Sequence, residues 1–490
     1  MIYSFHHADF WMKGGIEAGL SYRAKIFRDL GLEAKFVFTN KFPECNIQNE
    51  TAILGLLDSE VIWLYGYFSD CRISPVTFNL AQLEDTFTEE KYIFSRDKAI
   101  VKYQFPDLNV YYMVFMTDEN SNYIHSVLMI SNGCAVRKDY YTYCKIYSEY
   151  YIPVDGREHL YLRRFFNEDG SVAYEEIEEG ELVLYKFPDR LLHSREELVG
   201  YMIMCLRLTK KDVVLIEGGG GFIDMAAFIQ NTSPARIGFI IHMNHYEFWC
   251  CDEEHILWFS RFEYAFSHLE KISFFVTNTD VQRNLIKEQF RHYKGLDAKV
   301  ETIPVAYLDR IRIPEKRKKH SLITVGRLAG DKRVHLIIEA VVIARGVVPD
   351  VTLDIYGQGG DEKKLQEQIH ELSCGDYVRL CGFQRMDELY QNYEAYISAS
   401  LGETFGITLL EAVGSGLPII GFDRRYGMQM FVDEGENGFK ILYASAQGLA
   451  DGIIRLFTQS DLEAFRMHSY EKARFYLKEE VEKKWMEILS

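Results

Sequence analysis

The 490-residue chain carries 72 acidic against 55 basic side chains, and a formal charge of −17 argues against a nucleic-acid partner, which a basic face normally announces. Its 48% hydrophobic and 26% charged content is that of a globular protein long enough for two or three domains, and excludes a disordered chain. No window approaches the roughly 20 apolar residues of a transmembrane helix, and the first ten residues lack a basic region followed by an apolar run, so a cytoplasmic protein is expected. Nine cysteines, an odd number without metal-ligand spacing, are expected to be reduced thiols, with no structural disulfide and no zinc.

In chain order, Lys13, Gly14, Gly15 and Ile16 form a glycine turn opening a helix, whose first N–H groups suit an anion, although such a pair is often only a tight turn. From about 69 to 190 the helical period disappears. Short β-branched and aromatic runs alternate there with turn residues, which predicts an antiparallel meander inserted into the first domain. So aromatic a sheet leaves an apolar face and open edges, and suggests partner binding. The run from Ile237 ends in His242 and His245, each open to reading as a buried polar group or as a site residue. The basic run 310–320 reads as a solvated linker, with contact to anionic lipid or an acidic partner as the second reading.

The remainder alternates strand, glycine loop and helix, the pattern of a parallel doubly wound sheet with its ligand site at the carboxyl ends of the strands. The strand from Ser321 is followed by Arg327 and Lys332, a planar fork and a mobile point charge suited to a diphosphate. Gly382, Phe383 and Gln384 follow another strand, where an aromatic or amide group can meet a planar base. Glu403 and Glu411 bracket a small turn. The amides of Thr404, Phe405, Gly406 and Ile407 are expected to be the open donors of a helix N-terminus, with Glu411 two turns along on nearly the face of Glu403. The absence of Asp-x-Asp leaves the diphosphate to these cations and helix dipoles, so no metal is expected.

Taken together these spacings resemble the retaining, nucleotide-sugar-dependent glycosyltransferases of the GT-B architecture, family 4. The resemblance implies two Rossmann-like doubly wound domains facing across a cleft. It implies that Glu403 and His242 meet the donor sugar with the Thr404–Ile407 segment, and that Glu411 holds the ribose. Arg327 and Lys332 would hold the diphosphate, and Gly14, Gly15, Ile16, Phe383 and Gln384 would complete the UDP site. The catalytic set is then Glu403, His242, Arg327 and Lys332. A UDP-sugar is a co-substrate, and no cofactor is implied.

The insertion, with Gly15 to Ala24, Arg137 to Tyr141, His242, His245 and Gly416 to Asp423, resembles the GtfA-type subunits that O-glycosylate serine-rich repeat adhesins in Gram-positive bacteria. That family implies UDP-N-acetylglucosamine as donor, Ser/Thr hydroxyls as acceptors and a GtfB-type partner subunit bound through the meander. Teichoic-acid α-glycosyltransferases share the inserted sheet and are the competing reading. A non-catalytic partner subunit is the third, and it is expected to lack the cations and paired glutamates present here. The implied division is 1–68 plus 191–310 for the first Rossmann-like domain, 69–190 for the meander and 311–470 for the nucleotide-sugar domain. A C-terminal helix at 471–490 is expected to cross back to the first domain, and peripheral contact with the inner membrane face accompanies the lipid reading.

Overall fold

The computed structural model describes residues 1–6, 15–88, 91–217, 225–386 and 388–490. Three sheets organise it. A seven-stranded sheet has the order Val300–Thr302, Phe274–Thr277, Arg236–Ile241, Val213–Glu217, Ile2–His6, Ala34–Phe38, Val61–Trp63. A six-stranded sheet has the order Val378–Leu380, Thr352–Tyr356, Ser321–Val325, Ala395–Ser398, Ile419–Phe422, Gly438–Ile441. Counted along the chain, both read 3-2-1-4-5-6, with one more strand in the first, which is the doubly wound dinucleotide-binding order. The strand pairs are parallel, and most of the central strands are short apolar runs buried on both faces, as helix-covered sheets require. The architecture is GT-B with an inserted antiparallel sheet. No helix among the described residues is long and apolar enough to cross a membrane.

The chain divides into two compact units: Met1–Lys13, Phe27–Phe239 and Trp258–Ser273 in one, and Gly14–Ile26, Ile240–Leu257 and Phe274–Ser490 in the other. In the second, the six-stranded sheet is packed by an apolar helix, Val334–Ala344, and by Ala446–Gln459, around Leu322, Ile338, Leu353, Ile397, Ile420 and Ile453. The basic run is not a solvated linker throughout. Arg317 donates to the carbonyls of Gln391 at 3.2 Å, Tyr393 at 2.7 Å and Ser415 at 2.5 Å, so its planar fork ties three loops at the sheet's edge. Arg310 pairs with Glu388 at 2.8 Å on the surface. The last helix, Lys478–Leu489, buries Trp485, with the Arg23 guanidinium 5.9 Å from its ring centre.

The first unit holds the meander, ten antiparallel strands in chain order from Ile93–Asp97 to Leu191–Leu192. Alternation decides its faces. At the far end Val101, Tyr103, Phe105 and Val114 point to a core closed by Phe78, Leu80, Leu83 and Phe87. At the near end a stack of rings crosses the strands: Tyr140–Tyr147 at 4.2 Å between centres, Tyr147–Phe165 at 5.4 Å, Phe165–Tyr174 at 4.4 Å and Tyr174–Phe187 at 4.8 Å. Tyr65, just past the strand Val61–Trp63, stacks on Phe165 at 5.9 Å. Beside the stack lies a buried ionic cluster. Arg163 donates to Glu149 at 2.8 Å and also to Glu176 and Glu178, while Lys41 reaches Glu176 from the loop after Ala34–Phe38.

Burial works to raise the Glu176 carboxyl, and the Lys41 and Arg163 cations outweigh it, holding the group below the usual glutamate range. Removing the carboxylate takes from Lys41 its paired anion and leaves it beside the Arg163 cation, which keeps Glu149 and Glu178. Glu176→Ala is therefore expected to cost about 3 kcal/mol in urea unfolding. Arg164→Ala, on the half-exposed pair with Glu175, is expected to cost less than about 1 kcal/mol. A depressed folded pKa contributes stability above the ordinary glutamate value of about 4.3, and that stability is lost as pH falls through the folded value. The gap between wild type and Glu176→Ala should accordingly narrow in acid. An equal gap at pH 7 and in acid would contradict the assignment.

Candidate donor-binding site

In a doubly wound sheet the crevice opens where the strand order reverses, at the carboxyl ends of the first and fourth strands. In the six-stranded sheet those are Ser321–Val325 and Ala395–Ser398, neighbours in the order. A cavity of about 320 Å³ lies there, lined by Gly326, Arg327, Lys332, Tyr356, Tyr396, Ser398 and Glu403. Its floor needs glycine. At Gly357 (φ +137°) an added Cβ would stand 1.8 Å from the Gly326 carbonyl oxygen, and at Gly359 (φ +159°) 2.2 Å from that of Leu328. The two loops thus lie against each other, joined by the Gly326 N–H to Tyr356 O bond at 3.0 Å and the Leu328 N–H to Gln358 O bond at 2.9 Å.

Lys332 sits in a tight turn, Gly330–Lys332, just before the helix Val334–Ala344. Its Nζ donates to Glu403 Oε1 at 2.6 Å and to Ser400 Oγ at 3.3 Å. Arg327 is more than half exposed, with Asp331 at 3.6 Å. The structure therefore brings Arg327, Lys332 and Glu403 to one cavity. Phe383 is 75% exposed at the edge of the same sheet, beyond Gly382 (φ +67°), and Gln384 donates to the Cys381 carbonyl at 3.2 Å. The Gly357 N–H bond to Gly382 O at 2.9 Å ties that loop to the cavity floor.

The Glu403–Glu411 segment differs from expectation in one respect. The helix begins at Ile407, not at Thr404, because Gly406 takes the left-handed conformation (φ +84°) as the cap. Glu403 lies in the preceding loop, so its spacing from Glu411 is not a helical repeat. Thr404, Phe405 and Gly406 precede the helix, and Ile407 supplies its first amide. The Phe405 ring is core, edge-on to Phe431 at 5.2 Å, so only its backbone is left to face a ligand. Glu411 accepts from the Tyr390 hydroxyl at 2.8 Å. Burial, and then the Glu411 charge, pushes the phenols of Tyr390 and Tyr22 far up, so both stay protonated donors.

His242 is buried and lines a second cavity of about 290 Å³ with Gly19, Tyr22, Arg23 and Asn278. His245 is fully buried. Its Nε2 lies 2.7 Å from Gln289 Oε1, and burial lowers its pKa to about 4, which keeps the ring neutral. Gly15 opens the helix Gly15–Asp29 in an exposed position with Ile16 behind it, and Gly14 lies outside the described residues. Sequence reasoning missed the strap 425–427. The Tyr426 and Gly427 amides donate to the Glu403 carbonyl at 2.9 and 2.7 Å, Tyr426 Oη donates to Asn244 at 2.8 Å, and Arg425 donates to Tyr246 Oη at 2.8 Å. The only signal was Asp423 to Gly427 following a strand, at the level of the other loops of the site.

Two family models match the chain: the GtfA extended β-sheet domain at residues 93–189 and glycosyl transferases group 1 at residues 308–474. The UDP-N-acetylglucosamine–peptide N-acetylglucosaminyltransferase GtfA subunit of Streptococcus parasanguinis is 40% identical, over 100% of this chain and 98% of that protein. A solved GtfA/B complex contains a chain 37% identical, with a TM-score of 0.95, covering 100% of this chain and 99% of that one. The pneumococcal O-GlcNAc transferase GtfA, solved with UDP and GlcNAc, is 34% identical with a TM-score of 0.90, covering 100% and 98%. With the inserted sheet and the paired cations and glutamates both present, the chain belongs to the GtfA family of UDP-N-acetylglucosamine–peptide N-acetylglucosaminyltransferase subunits.

Proposed function

We propose that this protein transfers N-acetylglucosamine from UDP-N-acetylglucosamine, with retention, to Ser/Thr hydroxyls of a serine-rich repeat protein in the cytoplasm. The observation that carries the reading is the meeting of Arg327, Lys332 and Glu403 at the switch point of the six-stranded sheet. It is supported by full-length likeness to a transferase solved with UDP and GlcNAc. Lys332 has three protons, of which Glu403 and Ser400 take two, so the third is available to a diphosphate oxygen without breaking the ion pair. Arg327 adds a fork, and the first amides of Ile407–Gly414 add the positive end of a helix dipole.

In this reading Glu411 holds the ribose, Phe383 and Gln384 meet the base, and Gly14, Gly15 and Ile16 approach the phosphates. Glu403, His242 and the Thr404–Ile407 backbone hold the sugar. The acceptor oxygen attacks on the face the leaving UDP vacates, its proton passes to the departing phosphate oxygen, and Arg327 and Lys332 stabilise the charge that develops there. The non-catalytic reading loses ground because all four charged residues are present. Glu411→Ala is expected to weaken UDP binding, since a ribose contact is common to ground and transition states, whereas Lys332→Ala is expected to lower turnover by about 10²-fold. Calorimetry with UDP and a transfer assay separate the two. Unchanged UDP affinity in Glu411→Ala together with unchanged turnover in Lys332→Ala would put the site elsewhere.

With two cations and a helix end at the phosphates, no divalent ion is needed. Slow hydrolysis of UDP-N-acetylglucosamine should persist in EDTA; activity abolished by EDTA and restored by manganese would overturn this.

A GtfB-type subunit docks, in this proposal, on the meander. The solved GtfA/B complex of the relative supports a partner. The edge strand Ile93–Asp97 supports the place, since every residue in it is exposed and, among the described residues, one side of its backbone faces no further strand. Ile93 is 59% and Ile100 41% exposed on the face opposite Val101 and Tyr103. Ile93→Glu with Ile100→Glu is expected to spare UDP binding and donor hydrolysis, and to abolish co-purification with the partner and transfer to the repeat protein. Normal association and transfer by that variant, or full activity of the wild type alone on a teichoic-acid polymer, would contradict the proposal.

A further inference from the structure

Two thiols of the first unit stand apart from the donor chemistry. Cys71 Sγ and Cys144 Sγ lie 3.7 Å apart across 73 residues of chain, and both are free and half-buried. Cys71 belongs to the segment that leads from the strand Val61–Trp63 into the meander, and Cys144 to the turn between the strands Cys134–Tyr141 and Lys145–Val154. Polar contacts hold the segments in register on both sides of the sulfurs. The Glu168 N–H donates to Asp70 Oδ1 at 2.7 Å, the Arg72 N–H donates to Tyr143 Oη at 3.1 Å, and the Arg72 guanidinium lies 4.7 Å from the Tyr143 ring centre. The Cys71 thiol also meets the Phe166 carbonyl at 3.3 Å. The sulfurs at 3.7 Å stand within about 2 Å of a disulfide length of about 2.05 Å. Cys71 also lines a cavity of about 390 Å³ with Trp63, Tyr65, Thr142 and Phe165, which gives a small oxidant room to enter.

We propose that Cys71 and Cys144 are a peroxide-oxidised dithiol site that closes to a disulfide at the root of the inserted sheet. The Phe166 carbonyl accepts from Cys71 and so favours Cys71 as the sulfur that keeps its proton, and the hydrogen bond between the thiols lowers the Cys144 pKa, which leaves Cys144 as the nucleophile. Cys144 thiolate attacks one oxygen of hydrogen peroxide; an S–O bond forms, the O–O bond breaks, and hydroxide leaves. The Cys71 sulfur then attacks Cys144 Sγ, the S–S bond forms, the S–O bond breaks, and the hydroxyl departs with the Cys71 proton as water. Two thiols and one peroxide yield one disulfide and two waters, with two electrons passing from sulfur to oxygen. The product staples the entry segment of the meander to its central turn.

The full-length protein, reduced, desalted and treated with stoichiometric hydrogen peroxide, is alkylated and examined by intact mass and a non-reducing peptide map. The expected result is a loss of about 2 Da, protection of two of the nine thiols, and a Cys71–Cys144 cross-linked peptide that dithiothreitol releases. Cys144→Ser is expected to slow peroxide consumption about tenfold or more, and Cys71→Ser to halt at a trappable sulfenic acid. The wild-type map decides the matter even if either variant fails to fold. A cross-link between other cysteines, over-oxidation of Cys144 without a cross-link, or nine alkylated thiols after treatment would overturn the proposal.

Discussion

An ammonium group 2.6 Å from a carboxylate, where two neighbouring parallel strands diverge, is the constraint around which the candidate site is arranged. Each side chain keeps about 24% of its surface, so the pair contributes little to stability, on the scale of about 1 kcal/mol or less. Its effect is positional. Lys332 is fixed by the turn before its helix and Glu403 by a loop, and the bond between them sets the width of the cavity at the end of the sheet. An anion arriving there meets a cation already desolvated on one side by its partner, and preorganised charge of that kind acts on a transition state with little reorganisation.

Glu403 can serve as a fixed point only if its backbone is fixed as well, and the strap 425–427 does this. At Gly427 a Cβ would stand 2.1 Å from the Phe405 carbonyl oxygen, so only glycine admits the two amides that bind the Glu403 carbonyl. The same strap reaches Asn244 and Tyr246, two and four residues past His242, through Tyr426 and Arg425. The loop bearing Glu403 and the segment after His242 are thereby tied through four hydrogen bonds of one short peptide segment.

The sequence exposed the parts of this site that local chemistry announces. Arg327, Lys332 and the paired glutamates stand on glycine turns after apolar runs, and alternation of period two against helical period separated the insertion from the doubly wound sheets. What stayed hidden depends on contacts distant in sequence. The helix start at Ile407 is decided by the positive φ of Gly406, and no spacing rule distinguishes Gly406 from an ordinary turn glycine. His245 looks like its neighbour His242 until Gln282 and Gln289 are brought against it from a helix some forty residues on. Arg317 reads as one more charge in a basic run, yet three carbonyls from two other loops converge on it.

The inserted sheet solves a different problem with graded means. At its root, close packing permits a buried carboxylate, Glu176, because Lys41 and Arg163 both reach it, and a ring stack runs from Tyr140 to Phe187 and on to Tyr201 of the helix Arg195–Cys205 at 5.4 Å. The chain enters the insertion after Tyr65 and leaves it before Tyr201, so both ends are held by stacking and the sheet behaves as an arm fixed at its base. Midway, cations cover rings that the core leaves half-buried: Lys102 stands 4.2 Å from the Tyr111 ring centre and Lys138 5.4 Å from that of Phe115. Such lysines shield an aromatic surface from water and keep it from pairing with a stray strand. At the tip Ile93 and Phe94 are exposed on an edge, and Leu182 and Leu191 are exposed towards the opposite one.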